Sequence, residues 1–169
     1  GRQPLPISVN VSRTYLQKED VAGYIKNLID KYQIPMELFQ LEITETTENA
    51  ESLSYINSLK QAGFTLLMDD FGSGYSSLCM LKNTPFDVLK MDRQFLDECL
   101  DSKQGKTIIS HVISMSNDLG LSIIAEGVEN RGTADFLYDN GCSVSQGFYF
   151  SKPVPIPEFE HMLDEQQTE

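Results

Sequence analysis

Six short apolar runs recur along the chain, separated by stretches with helical spacing: "PISVNV" (6–11), "FQLEIT" (39–44), "FTLLMD" (64–69), "DVLKMD" (87–92), "LSIIAE" (121–126) and "SVSQGF" (143–148). This alternation constrains the fold more than any other feature. A strand followed by a helix, repeated, builds βα units and a parallel sheet. Val21, Ile25, Leu28, Ile29 and Tyr32 form one helical stripe. Leu53, Ile56, Leu59 and Lys60 form a second, stopped by Gly63, and Ile108, Ile109, Val112, Met115 and Leu119 a third, stopped by Gly120. "TADFLYDNG" and "IPEFEHMLDE" are shorter helical candidates. Six units in 169 residues take about 28 residues each. Eight such units would need about 225, close to the usual size of a (β/α)₈ barrel. The fold class expected is therefore α/β, a TIM-type (β/α) barrel that is incomplete, with about six of eight βα units present.

Side chains alternate faces along a strand. Ile7, Val9 and Val11, then Leu41 and Ile43, Leu66 and Met68, Leu89 and Met91, Ile123 and Ala125 fall on one face. That face is expected to lie under covering helices. The opposite face ends in a polar group on every strand: Asn10, Glu42, Asp69, Lys90, Glu126 and Gln146. Barrel enzymes place their active sites at the carboxyl ends of the strands. The six polar groups are therefore expected to converge.

The stretch "LLMDDFGSGYSSL" (66–78) sharpens this expectation, because a buried strand delivers two adjacent aspartates, with Asp69 read as its last residue and Asp70 as the first of the loop. Loop aspartates are commonly solvated turn formers. Two close carboxylates repel each other unless a cation lies between them. The hard oxygen donors of Asn10, Glu42, Asp69 and Asp70 suit Mg²⁺ or Mn²⁺ and not zinc. Lys90 inside a strand requires a partner, since a buried lone ammonium is costly. Glu45 suits the first turn of a helix, Glu129 suits a cap for a helix starting near Asn130, and Gln146 suits a structural role as readily as a site. Gly72 and Gly74 lack the third glycine of a phosphate loop.

The bulk composition excludes several classes. The net charge of −12 argues against nucleic acid polymer as a partner. A bound divalent cation would still admit a small anionic substrate. No apolar run approaches the ~18 residues of a membrane span, and no signal peptide is recognisable. Cys79, Cys99 and Cys142 fit no zinc spacing, which points to a reducing compartment.

The motifs "ISVNVS", "LEITE", "LLMDDFGSGYSSL", "VLKMD", "IIAEGVE" and "SQGFYFSKPVP" together resemble, in order and spacing, the EAL-domain cyclic di-GMP phosphodiesterases, from Pro6 to Pro155. The resemblance implies a modified TIM barrel that hydrolyses cyclic di-GMP to linear pGpG with Mg²⁺ or Mn²⁺ in bacterial second-messenger signalling. It implies that Asn10, Glu42 and Asp69 ligate one ion and that Asp69 and Asp70 serve a second. Lys90 would orient the attacking water and help hold the reacting phosphate, Glu126 would stand at the second ion as base or water-positioning group, and Gln146 and Glu129 would support the site. Glu45 would anchor the loop Phe71, Gly72, Ser73, Gly74, Tyr75, Ser76, Ser77 and Leu78, which couples metal binding to dimerisation. A homodimer in the bacterial cytoplasm, alone or within a larger membrane-bound or sensory protein, is implied as well.

One departure stands against the resemblance. No Glu-Ala-Leu tripeptide occurs in the chain. Residues 1–169 are expected to be a single EAL-type domain lacking its N-terminal part, weakly active or inactive as it stands. The competing reading is a degenerate module that binds cyclic di-GMP or a protein partner without turnover. A weaker one is a metal phosphoesterase with another substrate.

Overall fold

The computed structural model describes residues 4–12, 20–44, 50–73 and 77–166. Among them run six strands: β1 (Ile7–Asn10), β2 (Phe39–Thr44), β3 (Thr65–Phe71), β4 (Val88–Met91), β5 (Ser122–Ala125) and β6 (Val144–Ser145). They form one sheet in the order β1-β2-β3-β4-β5-β6, every neighbouring pair parallel. Parallel neighbours require a crossover between them. The described helices supply most of these: α1 (Val21–Tyr32), α2 (Ala50–Gln61), α3 (Ser77–Asn83), α4 (Arg93–Leu100), α5 (Lys103–Asp118), α6 (Arg131–Asp139) and α7 (Ile156–Gln166). This is six βα units of a TIM-type barrel, left open.

The helices begin where short polar side chains cap them. Asp20, Asp92, Ser102 and Asn130 accept from the backbone N–H of Gly23, Gln94, Gly105 and Thr133 at 2.8–3.0 Å. Asn130, not Glu129, is therefore the cap of α6. α3 and α4 are too short to show a helical period in sequence, and neither was expected. Gly105 lets α5 start hard against the end of α4, since a Cβ there would lie 2.0 Å from the Cys99 carbonyl oxygen.

The core lies between the sheet's apolar face and the helices. Leu41, Ile43, Leu66, Met68, Leu89, Met91, Ile123 and Ala125 are all buried, as the alternation predicts, against Ile56, Leu59, Ile109, Ile113 and Leu137. Each large side chain so buried contributes roughly 1.5–3 kcal/mol. Three expectations need correction. Leu28 and Tyr32 of α1, and Ile108 and Leu119 at α5, are exposed. The buried line of α5 is instead Gly105, Ile109, Ile113 and Ser116. Ile7 and Val9 are exposed because β1 pairs with β2 alone among the described residues.

Candidate active site

Five of the six predicted strand-end groups meet. Lys90 reaches from β4 into a cage of three carboxylates, on β2, on β3 and just after β5. Its Nζ lies 2.8 Å from Glu42 Oε1, 2.8 Å from Asp69 Oδ1 and 2.7 Å from Glu126 Oε1. Gln146 Nε2 donates to the same Glu126 oxygen at 2.7 Å, and Ser8 Oγ to the same Glu42 oxygen at 2.5 Å. Asn10 stands opposite Glu42 in the strand register, but its residue is exposed. Burial alone would lower the Lys90 ammonium, but its bonds to Asp69, Glu126 and Glu42 outweigh it and hold the group well above its ordinary value. Burial pushes the Glu126 carboxyl up, opposed by Lys90 and assisted by Asp69 and Glu42.

β3 carries both Asp69 and Asp70 in strand hydrogen-bonding, so Asp70 is not the first loop residue. In a regular strand the two side chains would point to opposite faces. The pairing with β4 shifts register between Met68 and Phe71, and Asp70 itself takes φ 59. An irregularity of this kind re-aims a side chain, and aspartate tolerates the left-handed conformation. Asp70 therefore shares the negative field of the cage. Its carboxyl is raised above 3.8 by burial and by Asp69, Asp92 and Glu42, with Lys90 acting in the opposite direction.

Two glycines bring the remaining loops close. Gly127 follows Glu126 at φ 66, and a Cβ there would lie 2.4 Å from Arg93 Cγ. The Arg93 stem crosses this gap and its Nη1 meets Glu129 Oε1 at 2.7 Å. Gly147 follows Gln146, and a Cβ there would lie 2.2 Å from the Val128 carbonyl oxygen. A cleft of about 660 Å³ opens beside the cage, lined by Glu126, Glu129, Gln146, Arg93, Phe148 and Lys152 among others. Lys152 Nζ sits 5.5 Å from the centre of the Phe148 ring. Sequence reasoning assigned no role to Ser8, Asp92, Arg93, Phe148 or Lys152. The Asp-Arg pair directly after "VLKM" was the available signal.

Of the predicted loop, Phe71 is buried and packs edge-to-face on Phe95 at 6.0 Å. Gly72, at φ 95, lies against the same ring, and Ser73 N–H bonds Asp70 O at 3.1 Å. Ser77 opens α3 and Leu78 is exposed. Glu45, Gly74, Tyr75 and Ser76 lie outside the described residues.

Among the described residues no three His, Cys, Asp or Glu side chains surround a point that could take an ion. The carboxylates close on Lys90 instead. The donor chemistry nonetheless fits a hard divalent cation. Four carboxylates, Glu42, Asp69, Asp70 and Glu126, share one ammonium, so negative charge is in excess. Lys90 takes one oxygen of each of its three partners. The second oxygens lie outside those bonds, and oxygen donors of this kind suit Mg²⁺ or Mn²⁺.

A model of the EAL domain family matches residues 1–153. Cyclic di-GMP phosphodiesterase RocR of Pseudomonas aeruginosa is 36% identical over 96% of this chain and 41% of its own length. The chain spans less than half the length of the curated relatives it matches. The crystal structure of the EAL domain of Mycobacterium smegmatis DcpA superposes with a TM-score of 0.87 at 32% identity, covering 95% of this chain and 73% of that one. Klebsiella pneumoniae BlrP1, solved as a manganese and cy-diGMP complex, gives a TM-score of 0.81 at 28% identity, covering 88% of this chain and 39% of that one. The chain belongs to the EAL domain family.

Proposed function

We propose that this domain hydrolyses cyclic di-GMP to linear pGpG in bacterial second-messenger signalling. The observation that carries the reading is the cage: carboxylates from β2, β3 and the end of β5 converging on a β4 lysine, beside a cleft that holds Arg93 and Lys152. Similarity to a named cyclic di-GMP phosphodiesterase supports it. Glu42, Asp69 and Asp70, with Asn10, would hold Mg²⁺ or Mn²⁺. When bound, such an ion would supply Lewis-acid charge against a phosphate and acidify a water molecule.

The protein's own groups do the rest. Glu126, its carboxyl raised by burial and held by Lys90 and Gln146, would accept a proton from the attacking water. Gln146 fixes the Glu126 oxygen that also meets Lys90. Arg93 and Lys152 place positive charge in an otherwise acidic cleft, as an anionic dinucleotide requires. Arg93 also holds the loop after Glu126 through Glu129. Water attacks phosphorus, one phosphodiester P–O bond breaks, and the leaving 3′ oxygen takes up a proton.

A bacterial cytoplasmic location and a homodimer belong to the same proposal. Among the described residues no helix is long and apolar enough to cross a membrane. A second reading, binding of cyclic di-GMP without turnover, is favoured by the closure of three carboxylates on Lys90. Incubation of the protein with cyclic di-GMP and Mg²⁺ or Mn²⁺, with products separated by chromatography, decides between them. Linear pGpG is expected, formed slowly by residues 1–169 as they stand. Bound but intact cyclic di-GMP under both metals would replace the first reading by the second.

A further inference from the structure

An ammonium has three N–H donors. The Lys90 ammonium lies 2.7–2.8 Å from one oxygen each of Glu42, Asp69 and Glu126, with a hydrogen bond donated to Asp69. In this arrangement the ammonium is committed to the cage and not to a water or a phosphate. The lysine is buried, and so are Glu42 and Asp69. Three carboxylates drawn together from three strands would repel strongly without a cation between them. Removing one partner of a buried pair leaves an uncompensated charge. We propose that Lys90 is the internal counter-ion of the cage: it holds Glu42, Asp69 and Glu126 together when no divalent ion is bound, and it competes with the incoming ion for them. This rests on the reading of the cage as a divalent-ion site. The lysine then sets the ion affinity, and ion binding frees its N–H donors for the cleft.

The test uses the protein freed of metal with chelator, and Mg²⁺ alone as ligand. Lys90→Met keeps the length of the side chain and removes its charge. In chelator this variant is expected to melt about 10 °C below wild type. Lys90→Met combined with Glu126→Gln removes one carboxylate together with the lysine and should recover most of that loss. Calorimetry should show Mg²⁺ binding to Lys90→Met on the order of tenfold tighter than to wild type, the scale of a close charge pair. If wild type binds Mg²⁺ and Lys90→Met binds it equally or more weakly, competition is overturned while the metal site stands. If neither binds Mg²⁺, both fall.

Should Lys90→Met fail to fold, the wild type answers through the ¹⁵N signal of the Lys90 ammonium. That signal should be protected from exchange in chelator and should shift and lose protection as Mg²⁺ is added. A signal that exchanges freely in chelator, or that Mg²⁺ leaves unchanged, overturns the proposal.

Discussion

β1 and β4 are four-residue strands of one parallel sheet, each with an apolar side chain flanking a polar one. Their fates differ. Ile7 and Val9 of β1 are 60% and 41% exposed, whereas Leu89 and Met91 on the same face of β4 are fully buried. β4 has a strand on either side; β1 is bonded only to β2 among the described residues. Alternation therefore specifies which face a residue takes, while the neighbours on both sides decide whether that face is dry. The difference controls chemistry too. A charge at the centre acts at low dielectric, where neighbours move its pKa, while a polar group at the edge is screened by water.

The largest expected effect lies at the centre. Glu126→Gln removes a charge and a base but keeps the shape, and Gln146 still has an oxygen to bond. Turnover of cyclic di-GMP is expected to fall about 10²–10⁴-fold, the usual worth of a general base, with nucleotide binding largely retained. Chromatography of products and calorimetry of binding measure the two separately. Asn10→Ala at the edge should leave stability within about 0.5 kcal/mol of wild type. A larger loss of stability there would remove the contrast between the strands.

Next come two truncations of the same kind. Leu89→Ala in β4 empties a fully buried site and is expected to lose about 2–5 kcal/mol in denaturant unfolding. Ile7→Ala in β1 should change stability by about 0.5 kcal/mol or less, since the side chain is already mostly in water. Equal losses would mean that β1 is covered in solution, as a homodimer through that edge would require. Light scattering then identifies the cover. A smaller effect, about 1–3 kcal/mol, is expected of Gly127→Ala, which combines a left-handed φ with a clash on the Arg93 stem.

The strand set and the convergence of Glu42, Asp69, Lys90, Glu126 and Gln146 were legible in sequence. A period of two, repeated with polar ends, maps directly onto a parallel sheet. Less visible was everything set by partners distant in sequence. The period of α5 placed Ile108 and Leu119 on the buried stripe, yet the helix turns Ile113 and Ser116 inward, because the sheet and not the helix fixes the contact line. Arg93 reads as an ordinary surface cation until Gly127 opens the gap its stem crosses. Ser8 shares the polar face with Asn10 by alternation, and its hydroxyl holds Glu42.

The smallest effect expected is at Asp70, where the sign is informative. Its carboxyl is raised above the ordinary 3.8 chiefly by burial, then by Asp69 and Asp92. A raised acid binds its proton more tightly in the folded state than in the unfolded one. From pH 3.8 up to the folded value, the native state therefore carries more protons, and stability from this group falls as pH rises. Above that window the carboxylate is a net burden on the metal-free fold. Asparagine at the same position has no charge and tolerates the left-handed backbone at φ 59 as well as aspartate does. Asp70→Asn should therefore be more stable than wild type at pH 7 in chelator. The gain should stay under about 1 kcal/mol, because the group is partly solvated and screened. It should vanish below pH 3.8, where both side chains are neutral. Adding Mg²⁺ should reverse the order, because the ion stabilises the aspartate and has less to hold in the asparagine variant. Denaturant unfolding at pH 7 and pH 3.5, with and without Mg²⁺, measures all four states. A variant less stable than wild type in chelator at pH 7 would show that Asp70 already has a favourable partner in the metal-free protein, and that the excess negative charge of the centre ends at Asp69.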